Sequence, residues 1–196
     1  MLRVSIVVGN PKPASRTLEL AEAAARSFVA PAPAEFTTID LAEHVGEIFT
    51  WPSAQMAALS DRVASSDIAV FASPTYKATY TGLLKAFLDR YPAGGLHGVL
   101  AIPVMTGANA SHSVAPDAHL RPLLVELGAT VPTSSLYFVT SNMDRLGAFV
   151  GDWAESNRSV LASLARIAGA IDGDAGKAEA AGGSCQPLGR NGGGSR

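Results

Sequence analysis

Apolar residues along this chain fall into short runs that alternate with stretches of helical spacing. Residues 2–8, Leu2-Arg3-Val4-Ser5-Ile6-Val7-Val8, are rich in β-branched and apolar types and stop at Gly9. That is the composition of a strand buried on both faces of a parallel sheet. Residues 17–29 read as a helix, with Leu18, Ala21, Ala25 and Phe28 on one side and the Ala/Pro stretch at 30–34 ending it. A second strand at 35–39 leads through an irregular piece to Pro52 and a helix from about Ser53, whose hydroxyl suits an N-cap, to Ser66. Residues 67–72 are apolar almost throughout and form a third strand; Leu83, Leu84, Phe87 and Leu88 then give a helical apolar face that stops near Pro92. Val99–Met105 is a fourth strand, residues 115–128 a helix, Leu136–Val139 lies in a fifth strand, and the last helix runs from about Leu146 to Ile171.

Strand alternating with helix, joined by connections long enough for crossovers, predicts a parallel sheet covered on both faces. Five strands with no second domain fit an α/β, flavodoxin-like five-stranded parallel sheet better than the six-stranded dinucleotide fold. The pattern leaves the strand order open. The domain is expected over residues 1–171. From Asp172 the chain is Gly, Ala and Ser with scattered charge and, apart from Leu188, no large apolar residue. Such a segment cannot offset its ordering entropy, so a disordered tail is expected over 172–196.

Composition narrows the function. Apolar residues make up 47% of the 196 and charged residues 16%, as in a packed globule. The net charge of -2 argues against a nucleic-acid binder, which carries a basic face. No apolar run approaches the roughly 18 residues of a membrane span. The N-terminal apolar stretch is too short for a secretory signal and reads as a strand. Cys185 is the only cysteine, which excludes an internal disulfide or a cysteine-cluster metal site. The four histidines (44, 97, 112 and 119) lack tight metal spacing. A cytoplasmic location is the simplest reading.

In open α/β sheets ligands bind beyond the carboxyl ends of the strands, and three loops there have unusual compositions. Gly9-Asn10-Pro11-Lys12-Pro13-Ala14-Ser15-Arg16-Thr17 enters the first helix, whose free N–H groups and dipole favour an anion. Ser15 and Thr17 add hydroxyls and Arg16 a cation; an ordinary capped turn is the alternative. The loop matches neither G-x-G-x-x-G nor G-x-x-x-x-G-K-[ST], which favours a monophosphate ester over a dinucleotide or a triphosphate. The second loop, Ser73-Pro74-Thr75-Tyr76-Lys77-Ala78-Thr79-Tyr80-Thr81-Gly82, offers a rigid proline, aromatics and backbone N–H groups to a flat ring. In the third, Thr106-Gly107-Ala108-Asn109-Ala110-Ser111-His112, small residues let a ligand approach the backbone. His112 is more simply a solvent-facing residue.

The segment from Ser73 through Gly82 and on to Leu83-Leu84-Lys85-Ala86-Phe87-Leu88-Asp89 closely resembles the signature of NADPH-dependent FMN reductases. The nearest group is the reductase components of two-component flavin monooxygenases, the alkanesulfonate type. The resemblance covers roughly residues 3–140. It implies that Ser15, Arg16 and Thr17 hold the FMN phosphate and that Pro74, Thr75, Tyr76 and Lys77 flank the isoalloxazine ring. The family's third loop reads Thr-Gly-Gly at the ring's pyrimidine edge, which maps onto Thr106 and Gly107; Ala108 departs from it. The resemblance also implies that Tyr80 is the inserted tyrosine of a π-bulge in the helix after the second loop, at a subunit interface, favouring flavin release.

The reaction so implied is hydride transfer from NADPH or NADH to FMN, with no catalytic side chain and no metal; positioning and the cofactors carry it. Lys77 and Arg16 are candidates to attract nucleotide phosphates or anionic reduced flavin. The resemblance further implies a homodimer or homotetramer and a flavin-dependent monooxygenase as recipient of reduced flavin. Two alternatives stay open: an NAD(P)H:quinone or azo reductase with tightly bound FMN, and a flavodoxin-like electron carrier.

Overall fold

A computed structural model describes residues 1–181, with side chains described through residue 171. Of the tail expected from Asp172, residues 182–196, Cys185 and Leu188 among them, lie outside the described residues. The chain divides into a unit of Met1–Arg158 and a second beginning at Ser159. The first carries the sheet. The described part of the second belongs to the last helix.

The strands are β1 (Leu2–Val8), β2 (Ala34–Asp40), β3 (Ile68–Pro74), β4 (Leu100–Gly107) and β5 (Leu136–Val139). All pair in parallel, in the order β2-β1-β3-β4-β5. The helices are α1 (Arg16–Val29), α2 (Ala54–Ala64), α3 (Gly82–Leu88), α4 (Arg121–Glu126) and α5 (Leu146–Ala181). Strand registers pair Val4 with Ile68 and Ile68 with Leu100, so β1, β3 and β4 run level and finish close together. Their central residues are fully buried, as the unbroken apolar runs require. The edge strand β2 is half-exposed over most of its length.

Met56 and Val63 of α2, Leu84, Phe87 and Leu88 of α3, and Leu124 of α4 share one core cluster with Val7, Phe71 and Met105. On the other face Phe28 of α1 packs on Trp153 of α5, ring centroids 5.6 Å apart. Burying these aliphatic and aromatic side chains contributes on the order of 1.5–3 kcal/mol each. Tyr91, set edge-on to Phe87, donates its hydroxyl to the Ser60 carbonyl at 3.2 Å. Burial pushes its phenol well above the usual range.

The expected π-bulge at Tyr80 is corrected. Thr81 is extended (φ -71°, ψ 153°) and caps α3, so Tyr80 precedes the helix and has no helical ladder to interrupt. Its half-buried side chain packs against the core instead. The π turn lies at Pro116–Leu120, leading into α4, where the Arg121 N–H bonds the Pro116 carbonyl. Pro122 explains it: in a regular helix its ring would strike the carbonyl four residues back and it has no N–H to donate. A wider turn relieves both. Arg121 then clamps the chain before β5, donating to the carbonyls of Val131 and Thr133 at 2.7 Å each and to Asp117 at 2.8 Å.

Gly9, at the end of β1, lies against α3: a Cβ there would stand 2.4 Å from the Leu84 Cβ and 2.9 Å from its Cα. This contact sets how closely α3 approaches the sheet. Gly9→Ala is therefore expected to destabilise the fold by about 2 kcal/mol. Urea denaturation checks this, and an unchanged midpoint would show that α3 can retreat without loss.

Candidate functional site

The strand order makes the carboxyl ends of β1, β3 and β4 neighbours, and each of the three loops is built to a definite shape. In the first, the Asn10 side chain accepts from the Lys12 N–H at 3.0 Å, closing a local turn around Pro11. Ala14 is left-handed (φ 49°) and donates its N–H to Asp40 at 3.2 Å. The other Asp40 oxygen accepts from the Ala42 N–H at 3.2 Å, so the end of β2 holds the loop in place. This bend delivers Ser15 as the N-cap of α1, its hydroxyl accepting from the Leu18 N–H at 3.3 Å. The N–H groups of Arg16 and Thr17, in the first helical turn, have no intrahelical acceptor and face an anion-favouring dipole. The exposed Arg16 side chain reaches the Thr140 carbonyl at 3.2 Å.

The second loop is a tight hairpin rather than an extended crossing. Tyr76 and Thr79 exchange backbone bonds of 2.8 and 3.2 Å, while Lys77 (φ 52°) and Ala78 (φ 67°) are both left-handed. That is a type I′ turn made without glycine or asparagine, and each left-handed residue costs about 1–2 kcal/mol. The Thr75 N–H extends the ladder by donating to the Thr106 carbonyl at 2.7 Å. Tyr76 is 53% exposed. The Thr75 hydroxyl is buried with no partner, a donor that a ligand or water would satisfy.

Ser73 and Thr81 tie the loops together. The Ser73 hydroxyl accepts from the Thr81 N–H at 2.9 Å. The Thr81 hydroxyl accepts from the Leu84 N–H as the cap of α3 and donates to the Gly9 carbonyl at the start of the first loop. In the third loop the Tyr137 hydroxyl donates to the Asn109 carbonyl at 2.8 Å, covering Gly107 so closely that a Cβ would lie 1.8 Å from it. Ala108 and His112 are exposed.

A cleft of about 450 Å³ opens between these loops, with Asn10, Lys12 and Arg16 on one side, Pro74 and Tyr76 on the other, and Thr106 buried at its base. Its volume falls in the range of small-molecule sites, about 300–1,000 Å³. Of the expected site residues it gathers Ser15, Arg16, Thr17, Pro74, Tyr76 and Thr106. Thr75, Lys77, Gly107 and Tyr80 do not line it. Asn10, Lys12, Ala14 and Thr140 line it without having been anticipated. The placement of Lys12 inside the first loop was the available signal for it. A larger cleft, about 540 Å³, opens among Arg3, Glu35, Asp61 and Arg62. It sits where the strands begin, away from the ends at which open α/β sheets hold ligands. Among the described residues there is no cluster able to hold a metal ion, and no helix is long and apolar enough to cross a membrane.

A 2-1-3-4-5 sheet with a helix starting at its switch point defines the flavodoxin-like class. Comparison with known proteins narrows this. The model of the family described as NADPH-dependent FMN reductase matches residues 2–144, a span that contains all three loops. The chain belongs to that family and is an oxidoreductase by that membership. An FMN reductase (NADPH) of Escherichia coli K12 is 31% identical over 131 residues, 65% of this chain and 68% of that one. The NADH-dependent FMN reductase SfnF of Pseudomonas putida is 29% identical over 157 residues, 74% of this chain and 81% of that one. The apo crystal structure of the NADH:FMN oxidoreductase EMOB superposes with a TM-score of 0.70 at 28% identity, covering 80% of this chain and 90% of that one.

The Thr81 hydroxyl serves two loops and one helix at once. Thr81→Val is expected to lower stability by about 1–2 kcal/mol, as loss of a helix cap does. Thermal or urea unfolding measures it; a loss below about 0.5 kcal/mol would mean the Gly9 contact is incidental.

Proposed function

We propose that the chain is an NAD(P)H-dependent FMN reductase whose cleft binds the flavin phosphate at the start of α1 and the ring along the Pro74–Tyr76 side. One observation carries this assignment: at the switch point of the sheet, the start of α1 with Lys12 and Arg16 faces the Pro74–Tyr76 side of the hairpin across a cleft of flavin-compatible size. Membership of the NADPH-dependent FMN reductase family supports the same chemistry. The residues present fit FMN. Lys12 and Arg16 have no carboxylate within ion-pair distance among the described residues, so both cations are available to a phosphate. The unpartnered Thr75 hydroxyl lies beside the wall proposed to take the ring.

When bound, FMN supplies the redox chemistry by accepting hydride from the nicotinamide. The side chains then have positioning work only. The N–H groups of Arg16 and Thr17, with Lys12, hold the phosphate end. Pro74 and the hairpin fix one wall with little freedom to move, which holds the two reactants in line. Tyr76, half exposed at the mouth, is placed to cover a stacked nicotinamide from water. The hairpin also carries Lys77 at the surface, where it adds to the attraction for nucleotide phosphates. Reduced flavin then passes to a flavin-dependent monooxygenase, a role that the name of the SfnF relative does not itself state.

Steady-state oxidation of NADPH and of NADH, with FMN, FAD and riboflavin as acceptors, tests the reading. FMN-dependent oxidation of at least one nucleotide is expected; none with any flavin would overturn it. Arg16→Ala and Lys12→Ala should each raise KM for FMN about tenfold, the scale of a lost charge-assisted hydrogen bond. Both should leave KM for riboflavin, which has no phosphate, within twofold of the parent. An equal change for both flavins would place the cations elsewhere than on the phosphate.

A further inference from the structure

Thr17 and Thr106 were each expected to touch the cofactor, one at its phosphate and the other at its ring edge. Instead they touch each other. Their hydroxyl oxygens stand 2.8 Å apart, and the two residues are 1% and 2% exposed. Asn10 donates its side-chain amide to the Thr17 hydroxyl at 3.1 Å. The three side chains come from just past the end of β1, the first turn of α1 and the end of β4, so one short chain of bonds joins the first loop to the third.

The proton count gives this chain a direction. Thr17 accepts from Asn10, and a hydroxyl that accepts a hydrogen bond becomes a better donor. The cooperative order therefore runs from Asn10 to Thr17 to Thr106. One hydroxyl hydrogen then bridges the two threonines, and the hydrogen of Thr106 remains for the cleft that both residues line. On the backbone side Thr106 is already fixed, its carbonyl accepting from the Thr75 N–H at 2.7 Å. Its hydroxyl can swing only within the small volume that the Thr17 oxygen leaves.

We infer that Thr17 and Asn10 are positioning residues that act through Thr106, orienting its hydroxyl as a donor to the non-phosphate part of the flavin. The inference rests on the FMN-reductase reading above. It differs from the role expected of Thr17 in one measurable respect. A threonine on the phosphate matters for FMN alone, whereas a threonine that orients Thr106 matters equally for a flavin without phosphate.

The experiment is a titration of flavin fluorescence with the purified full chain, using FMN and riboflavin separately, for the parent chain, Thr17→Val, Thr106→Val and the double variant. Valine keeps the threonine shape and removes only the hydroxyl. Thr17→Val is expected to weaken both flavins by the same factor, roughly fivefold, as for one neutral hydrogen bond. In the Thr106→Val background that loss should shrink below twofold, because the group being oriented is gone. Thr17→Ser, which keeps the hydroxyl, should bind both flavins within twofold of the parent. A loss confined to FMN would put Thr17 on the phosphate and overturn the inference. So would additive losses in the double variant, no change in either Kd, or a Thr17→Ser variant as weak as Thr17→Val. Should Thr17→Val fail to fold by its thermal transition, Thr17→Ala makes the same comparison. Failure of the broader reading looks different: the parent chain would then quench neither flavin and oxidise neither nucleotide.

Discussion

Everything at the cleft depends on the close approach of β1 to α3 at Gly9. Without a side chain there, the backbone of β1 lies directly against Leu84, and the Gly9 carbonyl comes within reach of the Thr81 hydroxyl. The same threonine caps α3 and is held through its N–H by Ser73. The end of β1, the end of β3 and the helix that follows β3 are thereby locked as one piece. The phosphate site proposed on the β1 side and the ring wall proposed on the β3 side can keep a fixed separation only if these ends do not slide.

Onto that lock the chain adds local strain where ligand contact is proposed. Among the described residues three non-glycine residues take left-handed backbone, Ala14 in the first loop and Lys77 and Ala78 in the hairpin. None is required by the strands themselves. Asp40 holds Ala14, and the paired bonds of Tyr76 and Thr79 hold the other two. Strain of this kind persists only where surroundings over-determine it, and such places are commonly binding sites. A wall that does not move loses little entropy when a flat ring settles on it.

The fold was legible because each strand of a doubly covered parallel sheet is apolar on both faces. Val4 to Val8 and Ile68 to Ala72 announce themselves as runs. The helix start at Ser53 was legible from its cap, whereas Ser15, which caps α1, was read first as a phosphate contact and only alternatively as part of a capped turn. The π turn at Pro116–Leu120 was not: Pro122 warned of a broken ladder, but whether a helix ends, kinks or widens there is settled by packing. Tyr80 was misplaced because its local sequence does not reveal that Thr81, one residue later, is pulled into a cap by Gly9, 72 positions away. The hairpin was hidden for a related reason, since Lys77-Ala78 lacks the Asn and Gly that mark a type I′ turn. The pairing of Thr17 with Thr106 spans 89 positions and leaves no local trace. Residue types pointed to the right loops, while the partners of those residues came only with the three-dimensional structure.

The central claim is that the flavin lies across the carboxyl ends of β1, β3 and β4, phosphate toward α1. A crystal structure of the chain with FMN tests it most directly. Phosphate oxygens are expected within hydrogen-bond distance of the Arg16 and Thr17 N–H groups, and the ring against Pro74 and Tyr76. A flavin seated instead in the cleft of Arg3 and Arg62, or reversed with its ring at the start of α1, would contradict it.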